Sequence, residues 1–507
     1  MDLSKLSVCV LGLGTTGLAS ARYLLGLPPK DWNDDDADRA ASPDRDTIQE
    51  PLIVCPRVAR LTIYAGKGTP NTRAEADALI EASGGFLKPQ QIVFDEQEVG
   101  GIYDLAVISP GIAPSSRMYE SAAANAAELI GEPELAWRQS PERWIGITGT
   151  NGKTTTTALL AHVLSGSGIK ARAVGNIGIP CIDAIQTRDD DEYLVAELSS
   201  FQLATVYKLK PDAAILLNIT PDHLGWHGSM ENYIRDKRRI FYHMDDDAPT
   251  VIDATLETTR DLVRLRRSSG KRVIPLGTIE GLTGDMTERC GAPEAAFVDA
   301  ASDMLVVMHD GRRTELLHAD ELKLKGEHNY ENALAAAAVA LCLGAEPECV
   351  RLALRSFEPL EHRIEPCGTV GEVAFYNDSK ATNPEATVKA LSAFPGSPLV
   401  LMLGGRDKNT DLTELIEAAK GTCKAVICYG EAGPRFYENF SALGYSKPLL
   451  IPDFNTAFST AIKTARAGDI ILLSPACASF DEFASFEARG GMFKSLVVAL
   501  QASEGGR

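Results

Sequence analysis

The sequence predicts an α/β fold of three domains, each built on a mainly parallel sheet. Three observations carry this reading. Apolar runs of strand length alternate with helical patterns along the whole chain. Two of those runs end in glycine-rich turns that open straight into helices, SVCVLGLGTTGLASARYLL (7–25) and RWIGITGTNGKTTTTALLAHVL (143–164). A chain of 507 residues is also too long for one ordinary core, and the usual domain size gives about three.

In chain order, the first strand and glycine turn lead into a helix, followed by PPKDWNDDDADRAASPDRDTIQEP. This acidic, proline-containing stretch is long for a helix-to-strand connection and reads as a surface insertion over about 28–57. LTIYAG (61–66) is the next strand. Ser140-Pro141 marks a boundary before the second glycine turn, and YLVAELSS is an apolar strand ending at Glu197. The stretch 278–320 is glycine-rich and then strand-like, which reads as another insertion. ENALAAAAVALCLG (331–344) is a helix, and Phe357-Glu358-Pro359 marks the second boundary. Beyond it, VAFYNDSKATNPEATVKALSAF (373–394), PLVLMLGGRDK (398–408), AVICYG (425–430) and DIILLSPACASF (469–480) repeat the strand-turn-helix pattern. The expected domains are 1–140, 141–358 and 359–507.

Composition narrows the function. Hydrophobic residues at 45% and charged residues at 23% are ordinary for a globular protein, and no apolar run reaches bilayer length. The N-terminal MDLSKLSVCVLGLGTTG reads as the start of a folded domain, not as a signal peptide. A formal charge of −19 argues against nucleic acid as a partner, while local Lys, Arg and backbone amides leave nucleotide ligands open. Ten cysteines contain no CxxC pair and read as reduced core residues of a cytoplasmic protein, with no metal–thiolate site.

The first turn has Gly12, Gly14 and Gly17 in GxGxxG spacing. A dinucleotide site would add an acid at the end of the second strand, where Ala65 and Gly66 stand instead, so an NAD-dependent oxidoreductase is disfavoured. Phosphate binding and a purely structural tight turn both stay open. The second turn departs from the common phosphate-loop spacing: Ile147 fills the usual first glycine position, and glycines stand at 146, 149 and 152 before Lys153 and Thr154. Backbone amides and a helix start can still converge on phosphate oxygens there. Lys153 can neutralise a phosphate, and a hydroxyl of Thr154 or Thr155 can hold Mg²⁺. Glu197, at the carboxyl edge of its strand, offers a hard cation an oxygen ligand.

GTNGKTTT resembles the ATP loop of the Mur ligase family, the ATP-dependent amide ligases of peptidoglycan precursor assembly, and of their folylpolyglutamate synthase relatives. GNIGIP, AELSSFQL, NITPDHLGWHGS, YIRDKRRIF, GEHNYENALAA, LEHRIE, NDSKATNP, LGGRDKNTDL and LSPACASFDEFASFEARG also have counterparts, so the resemblance spans nearly the whole chain. AELSSFQL, NDSKATN and SPACASFDEF are similar to the branch that adds D-glutamate to UDP-N-acetylmuramoyl-L-alanine. The alternatives are an amide ligase for another amino acid and an inactive nucleotide-sugar sensor.

The resemblance implies a role for each matching residue. Gly149, Thr150, Asn151, Gly152, Lys153, Thr154 and Thr155 would bind ATP, with Asn329, Arg363 and Asp378 gripping the nucleotide. Thr154, Glu197, His223 and Lys237 would hold Mg²⁺, two ions in all, with Lys237 as a CO2-derived carbamate. Lys153, Glu197, His223 and Lys237 form the catalytic set. Gly14, Thr15, Thr16, Gly111, Asn176, Ser199 and Gln202 would face the UDP-substrate. Lys380, Thr382, Lys408, Ser479 and Phe486 would receive D-glutamate. A monomer that inserts into no membrane is expected. Two residues compete with simpler readings: Arg235, Lys237, Arg238 and Arg239 also suit a solvated basic face, and His227 stands as near to the site in sequence as His223. At Gly225 the family commonly has Asp.

Overall fold

The computed structural model describes residues 1–30, 57–277, 293–324, 326–407, 409–446 and 448–505. Three sheets organise them. The first holds β1 (Ser7–Leu11), β2 (Arg60–Gly66), β3 (Ile92–Phe94), β4 (Tyr103–Ile108) and β5 (Ala126–Gly131). Its order is β3-β2-β1-β4-β5, parallel throughout. β1 is central because Val8, Cys9, Val10 and Leu11 are apolar on both faces and fully buried.

The second sheet holds β6 (Trp144–Thr148), β7 (Ala171–Gly175), β8 (Tyr193–Glu197), β9 (Ala213–Leu216), β10 (Thr250–Asp253), β11 (Ile274–Leu276), β12 (Ala295–Asp299), β13 (Met304–His309) and β14 (Arg312–His318). The order is β14-β13-β12-β11-β10-β9-β6-β8-β7. Parallel pairing runs from β7 to β12, and β12, β13 and β14 then pair antiparallel at one edge. The strand-like part of 278–320 therefore extends the sheet, while 278–292 lie outside the described residues. So do 31–56 of the expected acidic insertion.

The third sheet holds β15 (Glu365–Val370), β16 (Val373–Asn377), β17 (Leu399–Gly404), β18 (Cys423–Tyr429), β19 (Leu449–Leu450) and β20 (Ile470–Leu473), in the order β15-β16-β20-β17-β18-β19. Only the β15–β16 hairpin is antiparallel. The chain divides into two compact units. The first two sheets belong to Met1–Ala319 with Glu331–Leu354, and the third to Asp320–Tyr330 with Arg355–Arg507.

Within the first unit, the helix Glu132–Gln139 joins the two sheets through buried carboxylates. Glu134 accepts backbone N–H groups from Tyr207, Lys208 and Leu209 and pairs with Arg138 at 2.7 Å. Glu132 accepts from the Ile182 N–H through one oxygen, and its other oxygen has no partner among the described residues. Burial pushes the Glu132 carboxyl up to about 8. An acid with a raised folded pKa stabilises the fold fully below its unfolded value and loses that contribution as pH rises through the folded one. Between about pH 4.5 and about pH 8, wild type should lose thermal stability relative to Glu132→Gln. A stability difference between the two proteins that stays constant over this range would refute the buried-acid account.

Candidate active site

β6 is buried along its whole length and delivers the chain to the second glycine loop. A Cβ at Gly149 would lie 3.1 Å from Leu217 Cβ and 3.3 Å from the Asn218 nitrogen. Gly152 has φ +84°, and a Cβ there would lie 2.5 Å from Asn332 Oδ1. The segment after β9 holds the loop open: Thr150 N–H donates to Asn218 O at 2.9 Å, and Asn151 N–H to Asn218 Oδ1 at 2.8 Å. Thr150 Oγ1 also meets the Tyr233 hydroxyl at 2.9 Å. The helix Lys153–Gly166 starts directly after Gly152 with no side-chain cap and no acid in its first turn. Its leading amides and positive end are thus directed at the loop. Thr154 is half-buried there and Thr155 buried.

Two lysines converge on one carbonyl. Lys153 Nζ donates to Gly149 O at 3.0 Å and to Thr150 O at 2.9 Å, and Lys237 Nζ donates to Gly149 O at 2.7 Å. Lys237 is 2% exposed, with its ammonium 4.7 Å from the Tyr233 ring centre. Burial, reinforced by Lys153, drives its pKa well below the ordinary lysine value, while Asp222 and Glu197 oppose the shift. The solvated-face alternative fails at this residue: on the helix Met230–Arg238, Arg235 is exposed, but Asp236 and Lys237 are buried.

Glu197 ends β8 beside β6, in register with Ile147, and is 1% exposed. Its Oε1 accepts from Asn176 Nδ2 at 2.8 Å, and its Oε2 has no hydrogen-bond partner among the described residues. An unpartnered oxygen on a buried carboxylate is costly, and it suits a hard cation, which takes oxygen ligands. Thr148 Oγ1 is likewise buried and unpartnered. These donors fit Mg²⁺.

The two histidines separate cleanly. His227 is buried, with Nδ1 2.9 Å from Asp236 Oδ2 and Nε2 3.0 Å from Ser200 Oγ, a fully used structural ring. His223 is half-exposed at φ +54° and heads the short helix Leu224–His227. Its ring packs 4.7 Å from that of Phe201, and Nε2 lies 3.4 Å from Asp222 Oδ2. Asp222 also accepts the His223 N–H at 2.8 Å, whereas a Cβ at Gly225 would touch nothing within 4 Å. Asp222 supports this loop, and the sequence reading did not single it out.

Around the first glycine loop, Gly12 and Gly17 are required by the turn itself. Gly12 has φ +88°, and a Cβ on Gly17 would lie 2.0 Å from Gly12 O. Gly14 and Gly111 face open space. Thr15 and Thr16 begin the helix Thr15–Leu24, which has no side-chain cap. No acid ends β2; Asp95, following β3, accepts the Gly68 N–H at 3.1 Å and lies 3.8 Å from Arg73 Nη2. Ser199 and Gln202 are engaged with each other in a reciprocal helix cap, Ser199 N–H to Gln202 Oε1 at 2.9 Å and Gln202 N–H to Ser199 Oγ at 3.2 Å.

In the second unit, Arg363 is half-buried between His362 at φ +62° and Ile364 at φ +45°. A β-branched residue in the left-handed region is strained backbone. Asp378 holds the Ile364 N–H at 3.2 Å and accepts from Ser474 Oγ at 2.7 Å. Burial lifts its carboxyl to about 7, against the pull of Arg363 and Arg489. Lys380 Nζ lies 3.7 Å from the Phe486 ring centre, and its N–H donates to His362 O. Thr382 is half-buried just before the helix cap Asn383, and Ser479 is 2% exposed. Asn329 is buried in the first turn of the helix Glu327–Cys342. Lys408 lies outside the described residues. Glu361, His362 and Glu365 also cluster, but Lys494 Nζ already sits 2.6 Å and 2.7 Å from the two glutamates and takes the cation's place.

Sheet order defines the class, an α/β protein with parallel-dominated sheets and a glycine-rich loop at the carboxyl edge of β6. The sequence matches the Mur ligase middle domain over residues 147–340 and the Mur ligase glutamate ligase domain over 362–477. Proteins named UDP-N-acetylmuramoylalanine–D-glutamate ligase are similar across most of the chain. The one from Alkaliphilus metalliredigens is 37% identical, covering 80% of this chain and 85% of that protein. The one from Caldicellulosiruptor bescii is 34% identical over 98% of each. Among solved structures, UDP-N-acetylmuramate-alanine ligase of Thermotoga maritima shares the fold, with TM-score 0.53, 16% identity, and 98% and 100% of the two chains covered. A MurF ligase of Thermotoga maritima in complex with ADP does so with TM-score 0.51, 18% identity, and 78% and 95% covered. The chain belongs to the Mur ligase family, whose members form amide bonds with ATP in peptidoglycan precursor synthesis. Among the described residues, no helix is long and apolar enough to cross a membrane.

Glu197→Gln keeps the shape and removes the anion. It should cut turnover by about 100-fold or more with an unchanged melting temperature. Full turnover of this variant at saturating Mg²⁺ would remove Glu197 from the metal site.

Proposed function

We propose that this chain joins D-glutamate to UDP-N-acetylmuramoyl-L-alanine, consuming ATP and releasing ADP and phosphate, as a cytoplasmic monomer. The observation that carries the reading is the buried Glu197 oxygen that has no hydrogen-bond partner among the described residues, at the edge of a glycine loop already faced by Lys153 and Lys237. The names of the similar proteins support D-glutamate as the acceptor.

A carboxylate is a poor electrophile, so the reaction needs activation. The L-alanine carboxylate takes the γ-phosphoryl group, giving an acyl phosphate and ADP. The amine of D-glutamate then attacks the acyl carbon, the C–O bond to phosphate breaks, and an amide and inorganic phosphate result. Holding the reactants in line and neutralising phosphate charge supply most of the catalysis.

In this reading the residues divide the work as follows. Gly149, Thr150, Asn151 and Gly152 form the loop that, with Lys153, holds the polyphosphate, joined by Thr155 and by Asn329, Arg363 and Asp378 at the nucleotide. Thr154, Glu197 and His223 hold Mg²⁺, which supplies charge neutralisation when bound. Lys237 is the amine for CO2: burial and Lys153 lower its pKa and so favour the amine, which would add CO2 and release a proton, leaving an anionic carbamate suited to a metal. Gly14, Thr15, Thr16, Gly111 and Asn176 face the UDP-substrate, on a floor shaped by the Ser199–Gln202 cap. Lys380, Thr382, Lys408, Ser479 and Phe486 receive the dicarboxylate. The domains carrying these parts are 1–140, 141–358 and 359–507.

Phosphate release with ATP, Mg²⁺ and UDP-N-acetylmuramoyl-L-alanine should occur with D-glutamate and not with L-glutamate, L-lysine, meso-diaminopimelate or D-Ala-D-Ala. Release with another acceptor alone would keep the ligase chemistry and overturn the acceptor. Protein equilibrated with ¹³C-bicarbonate should show a carbamate carbon resonance that vanishes in Lys237→Arg. Its persistence in that variant would place the modification elsewhere.

A further inference from the structure

β16, β20 and β17 are neighbours in the third sheet, and the loops after them emerge side by side at its carboxyl edge, where open α/β sheets bind ligands. Those loops carry Ser379 to Thr382, Gly404 to Arg406, and Cys477 to Ser479. One side chain behind them touches all three. Arg489, on the helix Phe486–Gly505, is 0% exposed. Its Nε donates to Ser379 Oγ at 2.9 Å, and Nη2 to Ser379 O at 2.8 Å and Cys477 O at 3.1 Å. Nη1 reaches Gly404 O at 3.4 Å and Ala478 O at 3.3 Å. These contacts use all five N–H donors of the guanidinium.

Among the described residues, Arg489 forms no ion pair, although a buried guanidinium without an anion costs stability. The loops explain its presence. Gly405 has φ +132°, and a Cβ there would lie 2.1 Å from Ala478 O and 2.9 Å from Arg489 Nη1, so backbone and guanidinium are in close contact. Ser379 Oγ accepts from Arg489 and donates to Phe486 O at 2.8 Å. Arg489 therefore fixes both the loop that carries Lys380 and the residue whose ring Lys380 covers. Its charge acts on the carboxyl groups of Asp378 and Glu482 without forming an ion pair among the described residues, and adds to the charge of Lys380 on the loop in front of it.

We propose that Arg489 is the positioning residue of the acceptor pocket, setting the spacing of the three loops and the field that draws a dicarboxylic amino acid. This rests on the acceptor site proposed above. Lysine in its place keeps the charge but has three donors for five acceptor contacts, and methionine removes both.

The test uses the full chain with R489K and R489M, measuring kcat, the three substrate KM values and the melting temperature. The expected result is an acceptor KM raised about 10-fold or more in R489K and further in R489M. KM for ATP and for the UDP-substrate should stay within about twofold, and selectivity for D-glutamate over D-aspartate should fall. If R489M fails to fold, R489K alone decides. An unchanged acceptor KM in folded R489K would overturn the proposal, as would three KM values rising together, the pattern of a general structural role. If wild type uses an acceptor other than D-glutamate, the acceptor reading falls, and the same KM split measured with that amino acid still tests Arg489.

Discussion

The central site depends on a single carbonyl, Gly149 O, which accepts hydrogen bonds from two lysines at once. Two like charges so close, one of them buried, disfavour each other's ionised form, and the less solvated group yields. That group is Lys237. The surrounding features answer the same problem. Glu197 and Asp222 supply opposing charge, the segment after β9 clamps the loop, and Gly149 and Gly152 let the backbone bend where a Cβ would collide. A site that brings two lysines to the start of an uncapped helix is organised for an anion before one arrives, the condition under which electrostatic stabilisation is most effective.

The second unit solves a related problem in the opposite way. Its buried cation, Arg489, sits behind the loops and is satisfied by carbonyl and hydroxyl oxygens. Its buried acid, Asp378, is held by a hydroxyl and by the amide of a strained residue. The planar guanidinium can bridge three chain segments where a lysine, as a point donor, can grip fewer. Parallel strands create both sites, because every loop at their carboxyl edge opens toward the same side.

Much of this was legible in the sequence because it rests on local rules. The glycine turns after β1 and β6 announce themselves by an apolar run followed by residues that only a tight turn needs. Glu197 is readable as the last residue of an apolar strand. Burial of charge is not readable in this way. Lys237 stands in a run of basic residues whose pattern equally fits a solvated face, and only the packing of Tyr233 and Asp236 on the same side shows that it points inward. Arg489 is similarly hidden, since all but one of its partners are backbone carbonyls about 10 to more than 100 residues away, and backbone carbonyls leave no mark in a sequence. Ser199 and Gln202 were visible as a motif, but their mutual cap appears only once the helix start is placed. The stretch 278–320 reads as an insertion because the antiparallel edge strands in its described part, β12, β13 and β14, break the alternation of strand and helix that defines the rest.

The two glycine loops of the first unit are linked more tightly than their separation in sequence implies. The helix leaving the first loop, Thr15–Leu24, packs on the short helix Cys181–Ala184, and so does Glu132–Gln139. That short helix directly follows Asn176 to Pro180, the segment whose Asn176 donates to Glu197. A continuous path therefore runs from the first loop, through the floor formed by Cys181–Ala184, to the carboxylate beside the phosphate loop. Glu132 fastens that floor from the other side through the Ile182 N–H. A carboxyl in this place is a poor choice for stability, since one of its oxygens is buried with no partner among the described residues. A directional contact at a defined spot is what an apolar side chain cannot provide, and Glu132 fixes how the two glycine turns of this unit sit relative to each other.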